Sequence, residues 1–431
     1  MGTSSAGAVA IVGMGYVGLS LAKVFADSNF EVFGIDNSGA KIEKLKSGSS
    51  PITDLSDGDV AEMLRNGFKP SMDFGLIRES SAVILALPTP LGADSQPDLA
   101  PLLTAVDHAS PHFQEGQLWV VESTVLPGVT EGPVLERIRA GSHQNLEAIL
   151  LAYSPERIDP GSSNRRLTSI PKIVAGNSES SLSSAASLYQ SIGFTVVEAK
   201  SIRAAETAKL LENTYRAVNL ALVNELVQLV GRAGIDFHEV VRLAETKPFG
   251  FQAFWPGPGV GGHCIPIDPW YLQSFLAEKG GPSRLTELAL TINSDMPTRT
   301  AQRILDVGNH MGLFGELPPQ VNLLGMSYKS DVNDFRDSPG PEVARELSRR
   351  GVSVSYHDPF LGDELPEGHG RWLAHDRELT GLSGMTVLLQ NHAEYRKLFR
   401  APQGSTMLFS ASSGQDQIAP SIWSPEFFYV D

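Results

Sequence analysis

The sequence predicts an α/β protein in which two doubly wound domains are joined by a central domain built on a long helix. Short apolar runs that end in polar or proline-rich turns recur through the first 200 residues and again after Pro318-Pro319. Between them, residues 202–234 have helical periodicity and contain no proline. A chain of 431 residues is also longer than a single core usually supports. We therefore predict three domains, over residues 1–200, 201–317 and 318–431.

The first domain begins with a strand, a glycine-rich loop and a helix. Residues 8–12 are apolar, and the loop that follows, residues 13–18, has the spacing Gly-x-Gly-x-x-Gly. A second apolar run, residues 31–35, ends at Asp36. This order of strand, loop, helix and acidic strand end is typical of Rossmann-like dinucleotide-binding domains. The alternative, a tight strand–helix turn without a cofactor, is disfavoured by this context.

The same motif favours NAD over NADP as the cofactor. Gly13, Gly15 and Gly18 would give a tight turn and let backbone N–H groups at the helix N-terminus reach the pyrophosphate. Asp36 would accept hydrogen bonds from the adenosine ribose, and its charge would repel a 2′-phosphate. Asn37 follows it, where an arginine would favour NADP.

Four further apolar runs predict strands of this domain, and polar or proline-rich turns follow them. The runs are residues 82–87, 118–121, 148–152 and 173–176, and the turns are residues 88–90, 122–124 and 153–157. Since ligands of open α/β sheets bind at the carboxyl ends of strands, these turns are candidate walls of a site. Ordinary loop chemistry is the alternative for each turn taken alone.

The central helix, over residues 202–234, would be about 45 Å long. Lys209, Asn213 and Arg216 are spaced so that all three lie on or near one face of it. They could bring a cation and an amide to one ligand, or they could be part of a solvated face.

The third domain repeats the α/β pattern. Residues 321–325, 352–356, 386–389 and 427–430 predict strands, and residues around 341–350 predict a helix. The turn over residues 326–339 is the most charged strand end of this domain.

Cys264 is the only cysteine of the chain, so it forms no internal disulfide. It lies in a segment with four glycines, residues 257–268, where backbone and ligand can approach closely. A thiol and a nicotinamide cofactor in one site indicate an oxidation through a covalent thiohemiacetal and thioester. The alternative is that Cys264 is a small buried hydrophobe, as free cysteines usually are.

Composition limits the partners of the protein. A formal net charge of −15 disfavours nucleic acid and anionic membranes as partners. The N-terminus has no signal-peptide pattern, and no run is apolar and long enough for a membrane span. A cytoplasmic location is therefore expected for a chain without disulfides. No metal site is predicted.

Taken in order, these motifs resemble the UDP-glucose/GDP-mannose dehydrogenase family over nearly the whole chain. The resemblance rests on these segments: residues 13–18, 88–90, 122–125, 154–157, 209–213, 259–268 and 328–339. It implies an NAD-binding Rossmann domain, a central helical dimerisation domain and a C-terminal nucleotide-sugar-binding domain. A homo-oligomer, a dimer or larger, is expected on the long helix.

Within the family, residues 154–161, 248–251 and 263–269 are most similar to the enzymes that act on N-acetylhexosamines. UDP-N-acetylglucosamine is the favoured substrate, UDP-N-acetylmannosamine the second and UDP-glucose the third. Two rivals from other classes are a nucleotide-sugar-binding protein without turnover and a two-electron dehydrogenase of the 6-phosphogluconate type.

The family reaction, as the resemblance implies it, oxidises a primary alcohol at sugar C6 to a carboxylate with two NAD molecules. Cys264 is then the nucleophile, and Lys209 and Asn213 stabilise the oxyanion. Asp268 and Thr124 position a water or relay its proton, and Glu156 is the base for thioester hydrolysis.

The resemblance also implies the binding residues. Those for the cofactor are Gly13, Gly15, Tyr16, Val17, Gly18, Asp36, Thr89, Thr124 and Arg336. Those for the substrate are Arg157, Ile158, Lys209, Asn213, Arg216, Gly261, Tyr328 and Lys329. Two departures from the family stand out: Ser330 replaces a common proline, and the chain ends at Tyr429-Val430-Asp431, where relatives continue to an arginine that can reach a neighbouring subunit.

Overall fold

The structure is a computed structural model. It describes residues 7–52, 55–92, 94–142, 149–157, 167–262, 264–315, 318–335, 337–361, 371–372, 379, 382–399, 407–412 and 419–427. The chain packs into two compact units. The first unit comprises Met1–Glu212 with Trp270–Gly281, and the second comprises Asn213–Pro269 with Pro282–Asp431.

The first unit contains an eight-stranded sheet in the order β3-β2-β1-β4-β5-β6-β7-β8. Its strands are β1 Ala8–Val12, β2 Glu31–Ile35, β3 Phe68–Ser71, β4 Ala82–Leu85, β5 Leu118–Val121, β6 Leu150–Tyr153, β7 Lys172–Gly176 and β8 Val196–Glu198. Neighbouring strands are parallel except that β7 runs antiparallel to β6.

Helices flank this sheet. They are α1 Tyr16–Asp27, α2 Gly39–Lys46, α3 Asp57–Arg65, α4 Ala100–Ala109, α5 Leu135–Gly141 and α6 Glu179–Ser191. Alternate residues of β1 enter two different cores: Val9 and Ile11 pack in one, and Ala10 and Val12 pack in the other. The strand is therefore apolar on both faces, as parallel strands covered on two sides must be.

The second unit contains a five-stranded parallel sheet in the order β11-β10-β9-β12-β13. Its strands are β9 Gln320–Leu324, β10 Ser353–His357, β11 Arg371–Trp372, β12 Met385–Leu388 and β13 Met407–Ser410. The helix α11, Pro339–Arg349, and the short helix α12, Ala393–Leu398, belong to this unit.

The remaining helices are α7 Ile202–Arg232, α8 Phe237–Glu245, α9 Asp268–Lys279 and α10 Arg284–His310. The 31-residue α7 matches the predicted central helix to within two residues at its end. A second long helix, the 27-residue α10, was not predicted; Pro297 lies inside it. No helix among the described residues is long and apolar enough to cross a membrane.

The predicted fold class is confirmed: the chain has two doubly wound α/β sheets and a central helical region. The predicted last strand, residues 427–430, lies mostly outside the described residues: Phe427 ends a 3-10 turn, Pro425–Phe427, and residues 428–431 are not described. Among the described residues the sheet ends at β13, and Phe427 packs its ring against Phe409 of that strand.

Candidate functional site

The loop between β1 and α1 has three glycines with three different surroundings. Gly13 has φ +98°, and a Cβ there would lie 2.4 Å from the Ala86 carbonyl oxygen. A Cβ on Gly18 would lie 1.8 Å from the Gly13 carbonyl oxygen. A Cβ on Gly15 would meet no atom within 4 Å. Gly13 and Gly18 are thus required by the fold, whereas the open space at Gly15, the N-cap of α1, suits the close approach of a ligand.

Asp36 closes this loop from the end of β2. Its Oδ2 accepts hydrogen bonds from Met14 N at 2.8 Å and Lys41 Nζ at 2.6 Å, and its Oδ1 accepts one from Ser38 N at 2.9 Å. Burial opposes its ionisation, but the hydrogen bonds from Lys41, Ser38 and Met14 outweigh burial and hold the pKa of Asp36 below its ordinary value. The residue is therefore a fixed anion beside the glycine loop.

The turns after β4 and β5 meet at the carboxyl edge of the sheet. Ser123 Oγ accepts a hydrogen bond from Leu87 N and donates one to Leu87 O, both at 2.9 Å. Thr89 is buried, and its carbonyl oxygen accepts a hydrogen bond of 2.9 Å from the Tyr271 hydroxyl. Thr124, next to Ser123, is half-buried. The predicted cofactor residues Thr89 and Thr124 thus lie on turns that side-chain and backbone hydrogen bonds fix.

A buried charge cluster lies at the same edge. Lys172 Nζ is 2.8 Å from Glu122 Oε2 and 2.8 Å from Glu156 Oε2. The Tyr189 hydroxyl donates to Glu122 Oε1, and Arg157 N donates to Glu156 Oε1 at 2.6 Å. Glu156 was predicted to be the hydrolytic base, and the structure places it in an ion pair that the sequence did not predict.

Burial raises the pKa of Glu122 to about 7, with Lys172 opposing this rise and the charge of Glu156 adding to it. Burial would lower the pKa of Lys172, but Glu122 and Glu156 together raise it. Burial, and then the charge of Glu122, raise the pKa of Tyr189 well above its ordinary value. Lys172 is therefore a cation and Tyr189 a neutral donor at neutral pH, while Glu122 titrates there.

Arg157 extends from this cluster toward α7. Its Nε is 3.0 Å from Glu212 Oε2, and its NH1 donates to the Pro171 carbonyl oxygen at 3.0 Å. Ile158, the other substrate residue predicted here, lies outside the described residues.

Lys209 and Asn213 both lie on α7, four positions apart, and both are buried. Arg216, which the spacing places near the same face, is exposed. The Asn213 amide donates to Asp268 Oδ2 at 2.6 Å, and Asp268 is buried. Asn213 and Asp268 therefore form one hydrogen-bonded pair in the second unit.

Cys264 lies in the turn that leads into α9. Its carbonyl oxygen accepts hydrogen bonds from Ile267 N at 3.2 Å and Asp268 N at 2.9 Å. The turn therefore fixes Cys264 one helical turn before Asp268. Cys264 is exposed. The alternative that Cys264 is a small buried hydrophobe is therefore wrong.

The glycines before Cys264 pack against the loop after β9. A Cβ on Gly261 would lie 2.7 Å from Tyr328 Cβ, and one on Gly262, which has φ +81°, would lie 2.7 Å from the Tyr328 ring. Lys329 follows Tyr328 and is half-buried. Three predicted residues, Gly261, Tyr328 and Lys329, are thus brought together within the second unit. Arg336 and His263 lie outside the described residues.

Sequence reasoning missed three charged residues near the predicted ones. Lys41 follows Asp36 by five positions, a spacing that could have indicated a pair once a helix had been placed there. Glu122 belongs to a predicted turn but had no assigned role. Lys172 had no local signal, since it lies 16 residues from Glu156 and 50 from Glu122.

Family models match three consecutive parts of the chain. Residues 7–193 match the UDP-glucose/GDP-mannose dehydrogenase family, NAD binding domain. Residues 203–295 match the central domain of that family, and residues 322–411 match its UDP binding domain.

Individual proteins are similar over most of their length. The chain is 34% identical to a UDP-N-acetyl-D-glucosamine 6-dehydrogenase of Pseudomonas aeruginosa over 362 residues, 83% of each chain. It is 29% identical to a UDP-N-acetyl-D-mannosamine dehydrogenase of Methanocaldococcus jannaschii over 402 residues, 90% of this chain and 86% of that one. A solved UDP-D-ManNAc dehydrogenase from Pyrococcus horikoshii superposes with a TM-score of 0.84 at 27% identity, covering 97% of this chain and 100% of that one.

Proposed function

Because the chain belongs to the UDP-glucose/GDP-mannose dehydrogenase family and is a nucleotide-sugar dehydrogenase with NAD as its cofactor, we propose a four-electron oxidation of a UDP-N-acetylhexosamine at C6. The product is the uronic acid, and UDP-N-acetylglucosamine is the first candidate substrate. The observation that supports this most is the exposed Cys264, whose carbonyl oxygen accepts from the N–H of Asp268, the buried residue that accepts from the Asn213 amide. Binding alone requires no thiol at such a place.

The first unit fits NAD. The open space at Gly15 and the N-terminus of α1 suit the pyrophosphate, and Asp36 suits the adenosine ribose. By the family motifs, Tyr16, Val17, Thr89, Thr124 and Arg336 complete the set. When bound, NAD accepts one hydride in each of two successive oxidations.

The covalent part of the proposed reaction belongs to Cys264. Its sulfur attacks the C6 aldehyde to give a thiohemiacetal, which is oxidised to a thioester. Sulfur suits both halves, because a thiolate is a strong nucleophile and a good leaving group. Lys209 supplies a cation and Asn213 an amide donor to the oxygen at C6, where negative charge develops. The Asp268 carboxylate holds the Asn213 amide at 2.6 Å, which fixes the direction of that donor.

Hydrolysis of the thioester requires a base and a positioned water. We assign the base to Glu156 and the positioning of water to Thr124 and Asp268. Arg157, Ile158, Arg216, Gly261, Tyr328 and Lys329 are assigned to the substrate, the last three next to one another in the second unit.

The curated relatives support an N-acetylhexosamine as the sugar. Those at 29–34% identity include UDP-N-acetyl-D-glucosamine 6-dehydrogenases and UDP-N-acetyl-D-mannosamine dehydrogenases. UDP-N-acetylmannosamine is therefore the second candidate, and UDP-glucose the third.

We further propose that two copies of the chain associate through α7. Leu211, Leu222 and Leu229 are apolar and more than half exposed on this helix, and Leu222 and Leu229 are seven positions apart, as in the seam of a coiled coil. Light scattering should give a dimer or larger for the native chain. Leu222→Glu should shift it toward the monomer, and Val197→Glu, at an exposed apolar residue of β8, should leave it unchanged. A fully active monomer would contradict the proposal.

The central test counts NADH made per sugar consumed, with UDP-GlcNAc, UDP-ManNAc, UDP-GalNAc and UDP-Glc in parallel. Two NADH per sugar are expected for the proposed reaction. One would indicate the two-electron dehydrogenase, and none the binding protein without turnover. The sugar with the highest kcat/KM identifies the substrate.

Cys264→Ser should make at most about one NADH per site, because an alkoxide forms less readily than a thiolate and an ester hydrolyses more slowly than a thioester. Cys264→Ala is the matched control, since it cannot form any adduct that mass spectrometry detects in the serine variant. Lys209→Ala should slow the oxidation steps by about 10²–10³. Native-like uronic acid formation by Cys264→Ser would show that the thiol is not the nucleophile.

A further inference from the structure

Lys172 lies where it does because the strand direction changes within the first sheet: β7 and β8 run opposite to β1–β6. Because β7 runs antiparallel to β6, its first residue lies at the edge where β5 and β6 end. The register pairs Ala152 with Gly176 and, continued outward, brings Glu156 opposite Lys172. In a parallel strand the first residue would lie at the other edge. The reversal thus delivers a lysine to the carboxyl edge of the sheet.

The lysine is shared by two carboxylates in a dry environment. Glu122, Glu156 and Lys172 are 2%, 8% and 3% exposed, and the ammonium is 2.8 Å from one oxygen of each carboxylate. The ammonium also lies 5.1 Å from the centre of the Tyr189 ring. One cation cannot fully neutralise two buried anions, so the charge of each carboxylate affects the other.

The groups that face this cluster come from several elements of the first unit. Glu122 follows β5, Glu156 follows β6, and Tyr189 on α6 donates to Glu122. Arg157 is adjacent to Glu156 but is engaged by Glu212 of α7. Among the charged side chains described here, Lys172 is the cation in direct contact with Glu156.

We propose, on the basis of the proposed function, that Glu122 and Lys172 are positioning residues for Glu156. The shared ammonium holds the Glu156 carboxylate in place, and Glu122 competes for that ammonium, so that Glu156 can take a proton from the hydrolytic water without leaving Lys172 unpaired. When Glu156 is protonated, the ammonium pairs with Glu122 and stays neutralised.

The hydrolytic step conserves protons and electron pairs. The oxygen of water bonds to the acyl carbon of the thioester, and one proton of that water passes to Glu156. The carbon–sulfur bond breaks, and its electron pair leaves with the Cys264 sulfur. The thiolate then takes up a proton equivalent to the one that Glu156 holds, which regenerates thiol and base, and the carboxylic acid product loses its own proton to solvent.

The first arm of the experiment follows decay of the acyl-enzyme by mass spectrometry after a single turnover with UDP-GlcNAc and NAD. Since the pKa of Glu122 is raised to about 7, the native decay rate should rise through an inflection near pH 7. Glu122→Gln should lack this inflection and, at pH 8, decay about three- to tenfold more slowly, because the ammonium of Lys172 then pairs with Glu156 alone and competes with the proton of water. The earlier NADH-forming steps should be unchanged.

Glu206→Gln is the matched control. Burial raises the pKa of Glu206 to about 7 as well. Its carboxylate accepts hydrogen bonds from Gly128 N at 2.6 Å and Thr130 N at 3.1 Å, and it does not belong to the cluster of Glu122, Glu156 and Lys172. This variant should keep the inflection. An unchanged profile in Glu122→Gln, or loss of the inflection in Glu206→Gln alone, would overturn the proposal.

The second arm needs no turnover and so separates this proposal from the proposed function. Infrared titration should detect a buried carboxyl near pH 7 that disappears in Glu122→Gln. In Glu156→Gln the same carboxyl should titrate at lower pH, because the ammonium then belongs to Glu122 alone. The Glu206 carboxyl should not move. If no sugar gives NADH but this shift is seen, the shared ammonium stands and the proposed reaction fails. If the Glu122 titration does not move in Glu156→Gln, the coupling is refuted whatever the activity.

Discussion

A similar loop follows β1 in the first sheet and β9 in the second, but the aspartate bound to the loop has a different role in each sheet. β1 runs into Gly13-Met14-Gly15-Tyr16-Val17-Gly18, and β9 runs into Gly325-Met326-Ser327-Tyr328-Lys329-Ser330. Gly13 and Gly325 have φ of +98° and +84°. In both loops the methionine N–H donates at 2.8 Å to an aspartate that follows the neighbouring strand, Asp36 in one and Asp358 in the other.

The two aspartates differ in what else they bind. Asp36 keeps 8% of its surface exposed beside Lys41. Asp358 is buried completely at its side chain, and its oxygens accept from Met326 N, Ser327 N and Phe360 N, with His392 Nε2 at 3.2 Å. A carboxylate surrounded by four protein donors has no position left for a ribose. The Asp36 carboxylate can therefore serve a cofactor, whereas the Asp358 carboxylate holds the backbone of its own loop in place.

The helices that follow the loops differ in the same sense. α1 begins at Tyr16, within the glycine motif, with Gly15 as its N-cap. α11 begins only at Pro339, and Ser338 caps it by accepting from Gly340 N while donating to Met326 O at 2.6 Å. An N-terminus capped by a side chain is less available to a phosphate than one capped by glycine. The comparison predicts that equivalent substitutions will have unequal effects.

The largest effect is expected from Asp358→Ala, which leaves Met326 and Ser327 N–H groups and His392 buried without their acceptor. It should lower the free energy of unfolding of the second unit by about 3–5 kcal/mol. Urea unfolding followed by hydrogen exchange, which reports each unit separately, measures this. Asp36→Ala is the matched control and should cost the first unit less, since its carboxylate is partly exposed. Equal losses of unfolding free energy in the two variants would contradict the different roles assigned to Asp36 and Asp358.

The next effect concerns the cofactor. Asp36→Asn should reduce kcat/KM for NAD by about tenfold or more, because a neutral amide accepts more weakly from ribose hydroxyls than a carboxylate does. The preference over NADP should shrink, because the charge that repels a 2′-phosphate is gone. Steady-state kinetics with both cofactors measure the two effects. In the folded fraction of Asp358→Asn, kcat/KM for NAD and the preference for NAD over NADP should both be unchanged. An Asp36→Asn variant that prefers NAD as strongly as the native chain would refute the role assigned to Asp36.

The first loop could be predicted from sequence and the second could not, for a physical reason. Gly13, Gly18 and Asp36 are required by backbone geometry within one strand–loop–helix unit, so their spacing is visible in the chain. Gly325 and Asp358 have the same geometry, but a long loop separates β9 from α11 and hides the motif. The charge of the turn over residues 326–339 marked this loop, but Tyr328 and Lys329 received their role only through the family resemblance.

Contacts between residues far apart in the sequence could not be predicted, because local patterns do not specify them. Asp268 follows Cys264 by four positions, so a turn between them could be expected from the segment itself. Lys172 meets Glu156 only because β7 reverses direction, and periodicity does not encode strand direction.

The smallest effect is a difference in pH dependence between the two units. Burial opposes ionisation of Asp358, but His392 and the N–H donors hold its pKa below the ordinary value. Such a group contributes stability above its unfolded pKa, near 4, and loses it as pH falls through the lower folded pKa. The free energies of unfolding of the native and Asp358→Asn proteins should therefore differ by a constant amount from pH 6 to about pH 4. This difference should become smaller on further acidification.

Glu206 in the first unit should show the opposite sign. Its folded pKa, about 7, lies above its unfolded value of 4.5, so its contribution is complete below pH 4.5 and disappears as pH rises through 7. Glu206→Gln should therefore have a lower free energy of unfolding than the native chain. This difference should be larger at pH 5 than at pH 8, by an amount on the order of 1–2 kcal/mol. Urea midpoints across this range, read for each unit, measure both trends. A gap for Glu206→Gln that grows with pH would contradict the raised pKa, and a gap for Asp358→Asn that widens in acid would contradict the view of Asp358 as an ionised structural anchor.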